Sequence, residues 1–340
     1  MHKNGKKIWN PSTRKENRVN KLKGRWNALQ VKEIKMRKVY CVGMIKNEAD
    51  IIESYVRYHL NIFDGIVLLD NGSTDRTLEI LNQLQSEGLP IYLKQDNSLE
   101  FVQGEKTTKL INDTFNEFGP DFIFPLDVDE FLVAPNYPDN PRKIVNRLSP
   151  SKVYYLEREY TYFPIHLNEN EIFIPKRITY ASPIKDYWPK VVVSKKIWET
   201  FSPSISGGNH DLLFDKKNVK VKILQKLKLM HFPYRSLEQL KSKIMVGWIN
   251  TLASYNYNEG HNYHWYSLFE ELKKNNFNIS VEAILEHNER YVPMHFSFCR
   301  ALDIKYTTSN EVSAISNLLN YCESLASNYR ELDKLRRGGS

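Results

Sequence analysis

The residues that could do chemistry in this chain gather in a few short stretches. In PLDVDEF, Asp127 and Asp129 stand two positions apart. In an extended segment that spacing sends both carboxylates to one face while Val128 turns inward. Paired hard oxygens suit Mn2+ or Mg2+, which keep several waters and take one or two carboxylates plus phosphate oxygens of a substrate. The same string also describes a solvated turn, so its place in the fold decides between the two readings. Asp70 ends the apolar run IVLLD and precedes the turn NGS. Asn71 and Gly72 are turn residues, and Ser73 or Thr74 is placed to cap the helix that follows. A carboxylate at the tip of a buried strand needs a partner, and a base or ribose edge would serve. His231 closes the alternating run NVKVKILQKLKLMH; imidazole is an acceptable ligand in a mixed metal site, and an ordinary hydrogen-bonded histidine is the competing reading. In GGNHDLL, Gly207 and Gly208 would let backbone approach a ligand closely, and Asp211 or His210 is a group able to act as a general base. A glycine turn with a capping Asp is the plainer alternative. Lys190 in WPKVVV is either a cation for phosphate or an exposed strand lysine.

These residues need a scaffold, and the hydrophobic pattern supplies one. VYCVGMI, IVLLD, IYLKQ and FIFPLD read as short buried strands, and between them NEADIIESYVRYHLNIF, DRTLEILNQLQSEG and GEKTTKLINDTFNEFG repeat their apolar positions at helical spacing. Strands alternating with single helices predict right-handed crossovers and a mostly parallel sheet covered on both faces. Ligands in such sheets bind beyond the carboxyl ends of the strands, which puts Asp70 and Asp127 on one rim. A short capped helix at NPRKIVNRL follows. KVYYLEREYTYFPI and PKVVV then read as strands of a second, antiparallel portion. From Ser236 onward helical spacing dominates, in SLEQLKSKIMVGWIN, HWYSLFEELKKNN and the long run before GGS. The domain reading is a basic arm at 1–37, a catalytic α/β domain at 38–235 with halves 38–135 and 136–235, and a helical region at 236–340.

Of the net charge of +8, residues 1–38 carry +11 and the rest sums to −3. Basicity therefore belongs to the arm, and nucleic acid is not an expected partner of the folded body. The arm's lysines, arginines and tryptophans would rest on an anionic membrane or form a solvated tail. Three widely spaced cysteines suggest neither a disulfide framework nor a thiolate site. With no long apolar run and no apolar centre in the Lys-rich start, the expected location is cytoplasmic, peripheral at the inner face of the membrane. Aromatic clusters in YLEREYTYF, DYWPK, IWETF and ASYNYNEGHNYHWY are core, or sugar-stacking surfaces.

MIKNEADIIESYVRYHL, LLDNGSTDRTLEIL, the helix around GEKTTKL and PLDVDEFL, in that order, resemble the nucleotide-binding half of family 2-type glycosyltransferases of the GT-A fold. The KNE start, the DVDEF form and LMHFPYRSLEQLKSK bring the chain near the branch related to family 92. The likeness spans roughly residues 38–248. It implies a Rossmann-like sheet, a nucleotide-sugar donor, a glycan or lipid-linked acceptor, and inversion. By the same resemblance Ile45, Asn47 and Glu48 meet the nucleotide, and Asp70 and Asn71 hold base and ribose. Lys106 and Lys109 offer cations to the diphosphate, Asp127 contacts ribose or metal, and Asp129 binds metal. Many relatives have Asp at the Asn71 position, which leaves base selectivity open.

Other classes fit less well. An NAD-dependent oxidoreductase needs a Gly-rich fingerprint where this chain has CVGMIKNE. A nucleotidyltransferase would carry a glycine-rich basic loop there, and an Asp phosphatase would place its acid pair after the first strand rather than the fourth. A non-catalytic nucleotide-sugar or glycan-binding protein of the same fold is the alternative to an enzyme.

Overall fold

The computed structural model describes residues 36–96, 98, 102–134, 140–168, 170–182, 188–217, 219–254, 263–280, 285, 291–293 and 302–338. The basic arm, most of ASYNYNEGHNYHWY and part of DYWPK lie outside them. The first half runs β1 (Val39–Ile45), α1 (Ile52–His59), β2 (Gly65–Asp70), α2 (Thr77–Ser86), β3 (Ile91–Gln95), α3 (Gln103–Phe118), β4 (Phe122–Pro125) and β5 (Glu130–Val133). Then come α4 (Pro141–Val145), β6 (Lys152–Phe163), α5 (Ile174–Arg177), β7 (Tyr180–Ala181), β8 (Lys190–Ser194), α6 (Lys195–Phe201), β9 (Ser204–Ile205), β10 (Leu212–Leu213) and β11 (Lys220–His231). The chain ends in α7 (Leu237–Ala253), α8 (Tyr263–Lys274), β12 (Val292–Pro293) and α9 (Ala314–Gly338).

The expected α/β sheet, with a helical C-terminal region after it, is what forms. Strands β3, β2, β1 and β4 lie side by side and parallel. Their residues Val39, Cys41, Ile66, Leu68, Phe122 and Phe124 are fully enclosed, as strands covered on both faces must be. Beyond β4 the pairing turns mainly antiparallel through β8 and β6. β11 lies parallel to β6 on one side and antiparallel to β5 on the other. That last pairing matters most for function, because its register sets His231 against Glu130, next to Asp129.

Local chemistry explains the element ends. The Asn140 side chain accepts from Arg142 N with Pro141 in the first turn, and Ser236 accepts from Gln239 N, so α4 and α7 begin on capped termini. Gly119 closes α3 in the left-handed conformation. The start of α2 departs from expectation: neither Ser73 nor Thr74 caps it. Thr77 N instead donates to Asp75 Oδ1 at 2.9 Å, while Ser73 Oγ accepts from Asn47 N.

Two polar ties hold the C-terminal region to α1 and its helices α7 and α9 to each other. The Glu53 carboxylate, wholly buried on α1, accepts the backbone N–H groups of Lys305, Tyr306 and Thr307 at 2.8–2.9 Å. Along α9, Asn317 Nδ2 donates to Ser242 Oγ at 2.9 Å, and the Tyr321 hydroxyl donates to Asn250 Oδ1 at 2.6 Å. Residues 37–340 form one compact unit, and among the described residues no helix is long and apolar enough to cross a membrane.

Candidate active site

A cavity of about 540 Å³ opens where β1, β2 and β4 end. Ile45 enters it from the end of β1, Lys46, Asn47 and Glu48 from the loop that follows, Asn71 from just beyond β2, and Asp127 to Asp129 from the turn between β4 and β5. The opposite wall is helical: α7 supplies Gln239, Ser242, Lys243, Val246, Gly247, Asn250 and Thr251. His231 and Pro233 close one side.

Asp127 and Asp129 flank a tight turn, with Glu130 N donating to Asp127 O at 3.0 Å, rather than an extended segment. The two carboxylates consequently diverge. Asp127 is ion-paired with the buried Lys190 ammonium, and it also receives Gln103 Nε2 at 3.3 Å and Asn209 Nδ2 at 3.4 Å. Asp129 Oδ2 lies 3.7 Å from His231 Nε2 and 3.5 Å from Lys243 Nζ. Burial alone would raise Asp129, yet His231, Lys243 and Arg235 outweigh it and hold the carboxyl well below the ordinary range. The Phe232 N–H donates to Asp129 O at 2.8 Å, so the strand that carries His231 also fixes the aspartate.

With bonds of about 2.1 Å, two donors of one Mn2+ or Mg2+ ion sit within about 4.2 Å of each other. Asp129 Oδ2 and His231 Nε2 meet that condition. The donor set fits a cation completed by water and substrate oxygens. Among the described residues no group of three His, Cys, Asp or Glu could hold an ion unaided. Asp127 is not brought into the donor set, because its charge is committed to Lys190.

Of the residues expected at the site, Ile45, Asn47, Glu48, Asn71, Asp127, Asp129 and His231 line the cavity together. Asn47 adopts a positive φ of 56° and holds the neighbouring loop, its Oδ1 accepting from Thr74 N at 2.7 Å. Its Nδ2 is buried and has no acceptor among the described residues. Glu48 Oε2 receives Arg235 Nη2 at 2.6 Å; burial pushes the carboxyl up to about 7 against that pull. Arg235 also grips Asp50 through Nε and Nη2 at 2.7 and 2.9 Å.

The other expected residues are placed elsewhere, each for an identifiable reason. Asp70, 1% exposed, turns its carboxylate onto the N–H groups of Gly72 and Ser73 at 3.1–3.2 Å; the partner it needed is its own turn. Lys106 is spent on Asn71 Oδ1 at 2.9 Å, Ser98 Oγ at 2.8 Å and Asp96 at 3.3 Å, so it positions Asn71 instead of lining the cavity. Lys109 is exposed, six residues and about 9 Å along α3 from the rim residue Gln103. Lys190 is fully buried between Asp127 and Glu130, the latter 3.3 Å away, which neutralises it as a phosphate cation.

Gly207 and Gly208 serve a turn. Gly208 has φ +69°, its N–H donates to Gln103 Oε1 at 2.9 Å, and the His210 ring lies where a Cβ would be. His210 Nδ1 meets Pro189 O at 2.8 Å and the ring packs on Trp188, outside the cavity. Asp211 is held by Tyr155 and Lys216 on the far side of the loop, and those partners lower its pKa in spite of burial. A carboxylate so stabilised is a poor base, and neither residue of that pair is at the cavity.

Lys46, Gln103, Lys243 and Asn250 were not expected. Lys46 stands inside the KNE stretch, where a signal existed. Lys243 likewise ends the stretch LMHFPYRSLEQLKSK, while Gln103 and Asn250 become neighbours of the rim through tertiary packing.

No family model matches the chain, and no curated protein is similar to it in sequence. Solved structures do overlap it. A mannosyltransferase from Pyrobaculum calidifontis, in complex with GDP-Man and Mn2+, is 15% identical with a TM-score of 0.32, over 52% of this chain and 53% of its own length. Glucosyl-3-phosphoglycerate synthase from Mycobacterium tuberculosis, in complex with Mn2+, UDP and glucosyl-3-phosphoglycerate, is 14% identical with a TM-score of 0.33, over 61% and 75%. Both are sugar-transferring enzymes. The overlaps are too loose to carry chemistry from those proteins to this chain.

Proposed function

We propose that the chain is a metal-dependent glycosyltransferase of GT-A type, moving a sugar from a nucleotide-diphosphate donor, a UDP-sugar, to a glycan or lipid-linked acceptor with inversion. The observation that carries this reading is the Asp129–His231 pair at the mouth of a cavity beyond the parallel strand ends. A divalent cation held there would supply Lewis acidity to a departing diphosphate. Asp129 and His231 would hold Mn2+ or Mg2+. The chain's own residues do the rest. Lys243 adds a second positive charge 3.5 Å from Asp129, where charge develops on the leaving group. Asn71, fixed by Lys106, and Asn47 present amides along the β1 and β2 ends, where the nucleotide would lie. With Asp211 and His210 outside the cavity, the base for the acceptor hydroxyl passes to a cavity carboxylate. Glu48, pushed up to about 7 by burial, is the one suited to exchange a proton near neutral pH. A location at the inner face of the membrane, reached through the basic arm, belongs to the same proposal.

The test is donor turnover. With Mn2+, a panel of UDP- and GDP-sugars should release free nucleoside diphosphate, and EDTA should abolish it. Saturable nucleotide binding without turnover of any donor, across an acceptor panel, would favour the non-catalytic binding protein. Retained anomeric configuration in the product would remove the inverting mechanism.

A further inference from the structure

One cation of the cavity has no place in the proposed reaction. Lys46 follows β1 and lines the cavity. Its Nζ donates to Asn250 Oδ1 at 2.9 Å and lies 4.5 Å from the centre of the Tyr321 ring. The Tyr321 hydroxyl donates to that same Asn250 oxygen at 2.6 Å, and Tyr321 itself is buried on α9. Two helices from the C-terminal region thus clamp a lysine of the sheet rim. Among the described residues no carboxylate forms an ion pair with this ammonium; Asp70 acts on it only from a distance.

The arrangement is costly unless something else binds there. Burial pushes the ammonium down to about 8, with Lys106 adding to the effect and Asp70 opposing it. A partly buried ammonium offers three N–H donors, and Asn250 takes one. The aromatic face contributes attraction but no hydrogen-bond acceptor. An oxyanion entering the cavity would supply both the missing counter-charge and charge-assisted hydrogen bonds.

We infer that Lys46, clamped by Asn250 and Tyr321, is an oxyanion-binding subsite of this cavity, taking a phosphate or carboxylate group. It is separate from the Asp129–His231 pair, whose neighbouring cation is Lys243. The nucleotide-sugar reading enters only in naming the bearer of the oxyanion, either the donor's diphosphate or an acidic group on the acceptor. Tyr321 acts as a positioning residue, which gives α9 a part in ligand binding.

The experiment uses the full chain in EDTA, titrated calorimetrically with UDP, uridine and inorganic phosphate, for wild type, Lys46→Met, Lys46→Arg and Tyr321→Phe. If the donor brings the oxyanion, Lys46→Met weakens UDP at least tenfold, leaves uridine unchanged, and Lys46→Arg recovers most of the loss. If the acceptor brings it, UDP is unchanged while phosphate binding disappears in Lys46→Met. Tyr321→Phe should weaken the same oxyanion about threefold and spare uridine; a purely structural role would weaken all ligands alike. The subsite is overturned if Lys46→Met changes neither UDP nor phosphate binding, or if wild type binds neither. A wild type that binds phosphate through Lys46 but no UDP, with or without Mn2+, sinks the nucleotide-sugar reading and leaves the subsite standing.

Discussion

The two walls of the cavity differ in what holds their polar groups. On the strand rim almost every charge has a protein partner: Asp70 caps its turn, Lys106 holds Asn71, and Asp127 is tied to Lys190. On the helical wall the polar groups are mostly neutral and are held from their own side of the cavity: Gln239 by Arg235 N, Ser242 by Asn317, Asn250 by Tyr321 and Thr251 by Gly247 O. That wall reaches the rim through Lys243 to Asp129 and Asn250 to Lys46. A rim locked by internal hydrogen bonds is pre-organised, so it need not reorder when a ligand arrives. The helical wall is where ligand-specific contacts can vary without disturbing the sheet. The difference teaches that a carboxylate on a strand rim is as often mortar as it is a ligand.

The contrast can be broken by mutation, starting with the exception on the rim. Asp129 is a rim carboxylate whose partners, His231 and Lys243, come from the β11 end and the helical wall. Asp129→Ala should lower Mn2+-dependent donor turnover on the order of 1,000-fold, since Lewis-acid stabilisation is worth several kcal/mol, with an unchanged circular dichroism spectrum. Full turnover in that variant would end the metal reading. Lys190→Met tests the opposite kind of rim residue. It leaves the buried Glu130 and the partly exposed Asp127 without their counter-charge, and urea denaturation should show a loss of about 3 kcal/mol; a stability close to wild type would mean the ion pairs are not structural.

A third prediction concerns the layer behind the rim. His59 is fully buried, with Nδ1 at 3.0 Å from Tyr55 O and Nε2 accepting Leu132 N–H at 3.2 Å, and burial lowers its pKa to about 3. The folded value lies below the unfolded one near 6.5, so the unfolded chain binds the extra proton in that window. Stability should be full above pH 6.5 and fall as pH drops toward 3. His59→Gln should flatten that part of the profile, and an identical acid slope in the variant would exclude His59 as its source. The smallest effect is expected at Asp211→Asn. With the carboxylate outside the cavity, kcat should stay within about threefold of wild type, in the range of a surface substitution. A loss of a hundredfold would return Asp211 to the reaction.

Much of this molecule could be read without coordinates. The alternation of buried strand runs with amphipathic helices specifies the parallel half from Val39 to Pro125, because a strand covered on both faces and a one-sided helix leave different periodicities. The address of Asp127 and Asp129 at the end of the fourth strand followed from the same pattern, as did the long strand ending at His231. Lys46 and Arg235 stood within stretches already singled out, in KNE and PYRS, but nothing local marks a lysine as unpaired or an arginine as buried.

What the sequence by itself determined is therefore the scaffold and the rim, with Asp129 and His231 as candidates on it. Tertiary structure alone decided which carboxylates are free to act. Asp70 and Asp211 have the same residue type as Asp129, and their fates differ because a side chain's role depends on what packs within about 4 Å of it. Those neighbours come from distant parts of the chain: Lys190 reaches Asp127 across 63 residues, and Asn250 reaches Lys46 across 204. Spacing along a chain reports which face a residue takes on its own element. It cannot report which element will meet that face.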